Sequence, residues 1–388
     1  MSTEGKNVPE LRFPEFKGEW EAQKLGERTV KVGSGVTPKG GATSYVESGI
    51  PLLRSQNVRD NELSLADVAY ISNHVHDNMS GSKVAAGDVL LNITGASIGR
   101  SCVVPEIVRE ANVNQHVCII RLRESASPKF LQTLLSSVYG QKWIFQSQAG
   151  GGREGLNFEN IRSFKVNFPS LPEQQKIADF LGAVDEKIGL LAKKKALLED
   201  YKKGCMQKLF SRQLRFNDDN GNDFPDWEEK RLGDVLTIGS GRDHQFLGTG
   251  SIPVYGTGGF MRNANDYLYD GESVCIGRKG TIDAPFLVEG KFWTVDTLFY
   301  THSFVDVLPK FLLAVFQQIN WQKHNEASGV PSLSKGTIEN LKAHIPQIDE
   351  QRKVANFLTA IDTKITLTTQ KLDQAKAFKK GLLQQMFV

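Results

Sequence analysis

The chain has 388 residues, of which 40% are hydrophobic and 23% are charged, and its formal net charge is +3. These values are ordinary for a globular protein of two or three domains, and they permit a polyanionic partner without arguing for one. The cysteines are widely separated, no run of 18 apolar residues could span a membrane, and the opening residues lack the apolar core of a signal peptide. We therefore expect a cytoplasmic protein without a disulfide framework, a zinc ribbon or a membrane partner.

The first 170 residues are predicted to form a globular head of mixed α/β structure. Short apolar runs at 88–94 and 117–123 are bounded by Gly, Ser and Asn clusters, which is typical of strands, and a helical pattern follows at 128–148. His74 and His76 could belong to a metal site, but no Cys or carboxylate cluster nearby completes it. We interpret these two histidines as part of a surface loop.

A long helix is predicted over 171–210, and its sequence occurs twice in the chain. Residues 173–188, EQQKIADFLGAVDEKI, recur at 350–365 as EQRKVANFLTAIDTKI, with ten of sixteen positions identical. Residues 202–210 and 379–387 match at the same offset of 177. The repeated segment therefore contains no insertion, and it marks an internal duplication.

Apolar residues in both copies are spaced alternately by four and three positions, which is the pattern of a coiled-coil seam. An amphipathic helix of about 38 residues needs a partner for its apolar stripe, and the other copy is the obvious partner. Asp185, Glu186 and Asp362 fall on the charged faces, where we expect them to be solvated. The expected helix-pair interface consists of Ile177, Leu181, Val184, Ile188, Leu191, Leu198, Val354, Leu358, Ile361, Ile365 and Leu372.

The second head is predicted over 211–348, and the second helix over 349–388. WEEKRLGD at 227–234 matches WEAQKLGE at 20–27, and a helical pattern at 309–324 repeats the one in the first head. Because the first helix leads directly into the second head, antiparallel packing would return the second helix to the first head. The prediction is a pseudo-twofold chain, with two α/β heads joined by an antiparallel coiled coil. The alternative is that each helix packs on its own head as ordinary core.

Neither head carries a recognised catalytic motif. The sequence has no GxxxxGK[ST] phosphate loop and no HExxH, and the pairs Gly33/Gly35 and Gly239/Gly241 lack the third glycine of a dinucleotide fingerprint. An enzyme with tandem catalytic heads would be expected to repeat a titratable cluster in both heads. The sequence shows no such repeat, which lowers the expectation of an enzyme without excluding one.

The order of a variable domain, an EQxKIxxFLxxxDxKI helix, a second variable domain and the same helix again resembles the DNA-specificity subunit of type I restriction–modification systems. The opening VPELRFPEFKGEWEAQKLGE is similar to a common start in that family. The resemblance implies two target-recognition domains, each reading one half of an asymmetric, split site in double-stranded DNA. It also implies that the helices set the gap between the half-sites and dock two methylation subunits, with restriction/motor subunits further out.

The resemblance further implies that this chain is not catalytic and holds no cofactor. S-adenosylmethionine, ATP and Mg would then belong to the partner subunits. A coiled-coil scaffold that binds proteins without recognising DNA is the alternative.

Base-reading contacts are expected from polar loops, because Arg, Asn and Gln form the paired hydrogen bonds that distinguish bases. For each such residue a plain turn role is the alternative. In the first head the expected DNA-binding residues are Arg54, Ser55, Gln56, Asn57, Thr94, Ser97, Arg100, Asn114, Gln115 and Arg153. In the second head they are Tyr255, Thr257, Arg278, Lys279, Ser332, Ser334 and Lys335.

Overall fold

The computed structural model describes residues 7–59, 61–148 and 155–388, and the chain divides into two units. Unit 1 comprises residues up to Ala192 together with Lys371–Val388, and unit 2 comprises Lys193–Gln370. Each unit therefore contains one head and parts of both long helices. We call the described residues within 7–170 the first head and residues 211–347 the second head.

The first head combines antiparallel sheets with short helices. Its strands are β1 (Glu21–Lys24), β2 (Thr29–Ser34), β3 (Ile50–Leu53), β4 (Val58–Arg59), β5 (Glu62–Leu63), β6 (Ala69–Ile71), β7 (Val89–Asn92), β8 (Ser101–Val103), β9 (Asn112–Val113), β10 (Val117–Leu122) and β11 (Lys165–Phe168). Its helices are α1 (Asn73–Asn78), α2 (Pro128–Ser136), α3 (Val138–Gln146) and α4 (Phe158–Arg162), and the long helix α5 (Leu171–Phe210) follows. One sheet has the order β2-β10-β7-β8, and a second has the order β6-β3-β9 with β3 and β9 parallel.

The second head repeats this architecture. Its strands are β12 (Glu228–Arg231), β13 (Thr237–Ser240), β14 (Ile252–Gly256), β15 (Gly259–Ala264), β16 (Tyr269–Asp270), β17 (Ser273–Gly277), β18 (Phe286–Val288), β19 (Lys291–Thr294), β20 (Leu298–His302) and β21 (Lys342–Ile345). Its helices are α6 (Leu232–Val235), α7 (Pro309–Gln318) and α8 (Lys335–Asn340), and the long helix α9 (Ile348–Gln385) follows. The sheet β13-β20-β17-β18 corresponds to β2-β10-β7-β8, and β14 runs parallel to β19 as β3 does to β9. The predicted mixed α/β class and internal repeat are confirmed.

One glycine in each head allows the two sheets of that head to approach closely. A Cβ atom on Gly35 would lie 1.6 Å from the carbonyl oxygen of Val113, and one on Gly241 would lie 1.9 Å from that of Val295. No side chain larger than hydrogen fits at either position. The second glycine of each pair noted in the sequence thus serves backbone packing just after β2 or β13.

An ion pair with a buried carboxylate joins the start of each long helix to the first residues of its head. In unit 1, Arg12 donates to both carboxylate oxygens of Glu173, at 2.7 and 2.8 Å. In unit 2, Arg215 donates to both oxygens of Glu350, at 3.2 and 2.8 Å. Both carboxylates are essentially inaccessible to water, with side-chain exposures of 1% and 0%. The bidentate geometry suits a buried guanidinium–carboxylate pair.

The next residue of each repeat is a buried glutamine whose amide oxygen and NH₂ group both form hydrogen bonds. The amide oxygen of Gln174 accepts from the backbone N–H of Ser127 at 2.8 Å, and its NH₂ group donates to Pro169 O. Gln351 makes the same contacts with Leu308 N and Pro346 O. Each glutamine therefore fixes the long helix against the residue that precedes α2 or α7.

The two long helices pack together in antiparallel fashion, as predicted. In unit 1, Lys379 near the end of α9 pairs with Asp185 of α5 at 2.5 Å. In unit 2, Lys202 near the end of α5 pairs with Asp362 of α9 at 2.7 Å. The two ion pairs are related by the offset of 177, so the helix contact within unit 1 is repeated within unit 2. Asp185 and Asp362 remain partly solvated, with side-chain exposures of 34% and 45%, and each also pairs with a lysine of the other helix.

The seam residues divide into two groups by burial. Val184, Ile188, Leu191, Leu198 and Ile365 are half-buried. The buried group is Ile177, Leu181, Val354, Leu358, Ile361 and Leu372.

Ile177 and Leu181 belong to the core of the first head, together with Leu382 and Phe387 from the end of α9 and the residues after it. Val354, Leu358 and Ile361 belong to the core of the second head in the same way, with Leu209 of α5. The start of each helix therefore packs on its own head and on the other helix at once, which combines the two alternatives that the sequence left open.

His74 and His76 lie on helix α1, so their interpretation as a surface loop was wrong. Ser72 caps this helix by accepting from Val75 N, and the turn carries His76 into the interior, where it is 7% exposed. Its ring Nδ1 lies 2.5 Å from the side-chain oxygen of Asn112. His76 is thus a satisfied core histidine.

Within the described ranges, no helix is at once long enough and apolar enough to cross a membrane.

Candidate nucleic-acid interface

An open cavity of about 480 Å³ lies on the surface of the first head, just after strand β7. Five of the residues expected from the sequence meet there, from loops that are far apart in the chain. The lining residues are Ser55, Gln56, Thr94, Gly95, Ala96, Ser97, Arg100 and His116.

Buried polar side chains hold these loops in place. Asn92, at the end of β7, is fully buried and donates to Ser55 O at 2.9 Å and to Ser97 Oγ at 3.1 Å. The hydroxyl of Thr94 lies 2.6 Å from His116 Nδ1, and Gln115 contacts the other ring nitrogen at 3.1 Å. The cavity is therefore preorganised, with hydroxyl, amide and guanidinium groups facing solvent.

Other expected residues of the first head form hydrogen bonds within the loops and do not line the cavity. Asn57 is fully buried, where it accepts from Arg54 N and donates to Ser64 O, both at 3.0 Å. Arg54 donates to Asp67 O at 3.0 Å and lies over the Tyr45 ring.

Asn114 stabilises the turn that carries His116 and does not line the cavity. Asn114 is 9% exposed and caps the turn by accepting from His116 N. Arg153 lies outside the described residues.

The second head carries a cavity of about 410 Å³ that follows strand β17. The guanidinium of Arg278 lies over the Phe299 ring, 5.9 Å from its centroid, which orients the charge. The cavity also brings together the other expected cations of this head. The lining residues are Ser240, Arg278, Lys279, Phe299, Glu326, Ser332, Leu333, Ser334 and Lys335.

The sequence reasoning missed Glu326, which adds one carboxylate to this cationic cavity. Thr337 Oγ1 and the backbone N–H of Ser334 donate to it, and these hydrogen bonds lower the pKa of Glu326 below its ordinary value. In the first head the sequence reasoning missed His116. Both residues adjoin predicted loops in the chain, but nothing in their spacing shows that they face the same cavity.

Tyr255 and Thr257 lie beside this cavity without lining it. Tyr255 is half-buried in an aromatic cluster, with ring centroids 5.8 Å from Phe286 and 6.3 Å from Phe260. Thr257 is at the tip of the β14–β15 hairpin, next to the loop that contains Gly280. The hairpin therefore adjoins the cationic loop.

Each cavity adjoins the loop that follows the corresponding strand, β7 or β17, and Thr94 and Lys279 are matched lining residues. Leu156 N donates to Ile93 O at 2.9 Å in the first head, and Leu333 N donates to Arg278 O at 2.9 Å in the second. Bridges between Thr94 and Gly155 and between Lys279 and Ser332 adjoin these bonds. The positions 155–156 and 332–333 are again separated by 177 residues. The shared scaffold thus places a cavity beside the same loop in each head, with different side chains and different neighbouring segments around it.

A family model of the type I restriction modification DNA specificity domain matches this chain twice, over residues 18–200 and 225–377. The chain belongs to this family of specificity subunits. The MjaVIII type I restriction enzyme specificity subunit of Methanocaldococcus jannaschii is 23% identical over 97% of this chain and 93% of that protein. The EcoBI specificity subunit of Escherichia coli is 33% identical over 34% of this chain and 28% of that protein.

Solved structures share the fold of this specificity subunit. The type I restriction–modification S subunit from M. genitalium matches with a TM-score of 0.69 and 15% identity, over 98% of this chain and 99% of that one. A chain from a study of complex assembly and conformational transition in the type I R-M system matches with a TM-score of 0.56 and 16% identity, over 96% and 98% of the two chains. These likenesses extend over both heads and both helices.

The cysteines of this specificity subunit are buried, and its cavities are lined by polar side chains. Burial raises the pKa of the thiols of Cys102, Cys118 and Cys275 to about 12, so they stay protonated at neutral pH. In the part of the chain that the structure describes, no cluster of His, Cys, Asp and Glu could hold a metal ion. The groups that the two cavities expose are hydrogen-bond donors, acceptors and cations.

Proposed function

We propose that each head reads one half of a split DNA site through its cavity. The observation that supports this most is that each head has a cavity, beside the loop after β7 or β17, that gathers polar and cationic side chains from loops far apart in the chain. Arg278 and Gln56 are the residue types that make paired hydrogen bonds to guanine and adenine, respectively. Lysines and hydroxyls, such as Lys279 and Ser334, suit phosphate contacts that position the protein. Because the two linings differ, the two half-sites differ.

The proposal assigns the reaction chemistry to other subunits. The two long helices set the gap between the half-sites and dock two methylation subunits, and restriction/motor subunits join the complex. S-adenosylmethionine, ATP and Mg are bound by those partners, and this chain acts in the complex without a catalytic residue of its own. Methyl transfer by the isolated chain, with S-adenosylmethionine as the only addition, would contradict this assignment.

Arg278→Ala is expected to weaken binding of the cognate duplex by about 1–3 kcal/mol and to relax base discrimination in one half-site only, because one paired contact is lost. Gln56→Ala should do the same for the other half-site. The target is first mapped from methylated adenines in a genome that carries this subunit and its partners. Affinity is then measured for the assembled complex against duplexes with single base changes.

Lys342→Ala is the matched control, since Lys342 is an exposed cation of the second head that pairs with Glu229 away from the cavity. It should leave discrimination at both half-sites unchanged. If Arg278→Ala relaxed both half-sites equally, the heads would not read independently.

Exchanging the first head for that of a relative should change one half-site and leave the other intact. The physical reason is that each head has its own core and its own cavity. Methylome sequencing of cells carrying the hybrid gives the result directly. A hybrid that altered both halves would show that recognition is shared between the heads.

A scaffold that binds proteins without DNA is the second candidate, because exposed apolar residues such as Leu190, Leu197 and Leu367 lie on the long helices. The two candidates differ in their response to salt. Binding of a random duplex that weakens steeply with salt supports the DNA proposal, since nonspecific affinity arises mainly from counterion release.

A further inference from the structure

Unit 1 contains a second cationic feature, a groove between the first head and the last turns of helix α9. Its cavity volume is about 440 Å³. Arg100 and Gln141 line it from the head, and Lys376, Lys379 and Lys380 line it from α9. Lys376 and Lys380 are one helical turn apart and therefore share a face of the helix. Four cations thus converge on one open groove.

Only one of these cations has an evident structural role. Lys379 forms the ion pair with Asp185 that links the two helices, and its side chain is 14% exposed. Lys376, Lys380 and Arg100 are exposed, and no carboxylate among the described residues pairs with them. Their charges are therefore available to an anionic ligand.

The internal repeat supplies a control within the same chain. The counterpart of Lys379 in unit 2 is Lys202, which keeps the ion pair through Asp362. The counterpart of Lys376 is Glu199, which pairs with Lys195 instead. The fold of the helix ends thus requires the paired lysine and does not require a cation at position 376.

On the head side of the groove, too, unit 2 lacks a cation that unit 1 has. In the first head Cys102 pairs with Leu90, and in the second head Phe286 pairs with Cys275. Cys102 and Phe286 therefore occupy equivalent strand positions. Arg100 lies two residues before Cys102, so its counterpart is Ala284, preceded by Asp283. Unit 2 therefore keeps Lys202 and Lys203 but replaces the other two cations of the groove with Glu199 and Ala284.

Arg100 connects this groove to the recognition cavity of the first head, because it lines both. We propose that the groove binds the sugar-phosphate backbone of the DNA just beyond the bases read by the first head, and that unit 2 makes no equivalent contact. The inference rests on the proposed function, and it adds a phosphate site that involves helix α9. Flexible lysines around an open groove suit a continuous polyanion, which they contact as point charges without base selectivity.

The test compares Lys376→Gln/Lys380→Gln with Lys203→Gln, whose residue is the unit 2 counterpart of Lys380. Each variant is assembled with its methylation subunits, and affinity for the mapped duplex is measured from 0.05 to about 0.3 M salt. Loss of two phosphate contacts should reduce the slope of log affinity against log salt by about 1.8. It should weaken binding about 30-fold at 0.15 M salt if affinity at 1 M is unchanged. Lys203→Gln should leave the slope as it is.

The reverse design keeps the test independent of any loss of folding. Glu199→Lys/Ala284→Arg places the missing cations in unit 2 and should increase the slope by about 2. Together with the loss in unit 1, this gain would support the inference.

An unchanged slope in the lysine variant, with wild-type protein that binds DNA, would overturn the inference and leave the proposed function intact. So would loss of assembly with the methylation subunits at an unchanged slope, since the groove would then hold an acidic protein segment. Absence of salt-dependent DNA binding by the wild-type complex would overturn the proposed function itself, and the inference with it.

Discussion

Replacing Arg215 with alanine should lower the free energy of unfolding by about 3–5 kcal/mol. Arg215 holds the Glu350 carboxylate, which is 0% exposed, and its removal leaves a buried charge without its partner. The hydrogen bonds to Glu350 raise the pKa of the Arg215 guanidinium above its ordinary value, so Arg215 stays charged at neutral pH. Urea unfolding followed by circular dichroism and tryptophan fluorescence measures the loss.

Arg352→Ala is the matched control for this prediction. Arg352 pairs with Asp349 one turn along the same helix, but both side chains are exposed, at 55% and 75%. Such pairs contribute at most about 1 kcal/mol. Equal losses in the two variants would show that burial of Glu350 is not what makes the pair important. Arg12→Ala should reproduce the large effect in unit 1, where Glu173 is 1% exposed.

Phe387→Ala should cost about 3–5 kcal/mol, because truncation of a fully buried aromatic side chain leaves a cavity. Phe387 is 1% exposed, and its ring packs 5.6 Å from Phe130 and 6.5 Å from Trp20 in the core of the first head. The residue follows helix α9, so one substitution near the end of the sequence should destabilise a head that begins more than 350 residues earlier. Thermal unfolding and the fluorescence of Trp20 report the effect.

Phe378→Ala tests whether the cost comes from burial. Phe378 lies nine residues earlier, on helix α9, and is 57% exposed, so its truncation should change stability by about 0.5 kcal/mol or less. A Phe387→Ala protein as stable as the Phe378→Ala protein would mean that the segment after α9 does not contribute to the first head's core.

The shared scaffold explains how the two heads can differ in specificity without differing in fold. The residues repeated in both units are the ones that hold helix and head together: the Arg–Glu pair, the buried glutamine and the Lys–Asp pair between helices. The residues that line the cavities are not repeated, since Thr94 corresponds to Lys279. Selection on the loops can therefore proceed without disturbing the core.

The sequence alone determined the repeat, the mixed α/β class and the pairing of the two long helices. A repeat and a spacing of apolar residues can be recognised from the sequence without any tertiary contact. Ten identities in sixteen residues, with apolar residues spaced by four and three, predict a repeated amphipathic helix for residues 173–188 and 350–365. Antiparallel pairing followed from connectivity. The family resemblance rested on the same repeated helix.

The tertiary structure decided which loops share a surface and which polar residues are buried. Asn57 and Gln56 are adjacent in the chain, yet Asn57 is fully buried and stabilises its loop, whereas Gln56 is exposed and lines the cavity. Asp185 and Asp362 were expected to be solvated, and only the packing of the helices shows that each also pairs with a lysine more than 150 residues away in the chain. Burial and pairing depend on contacts between distant segments, and local pattern carries no record of those contacts.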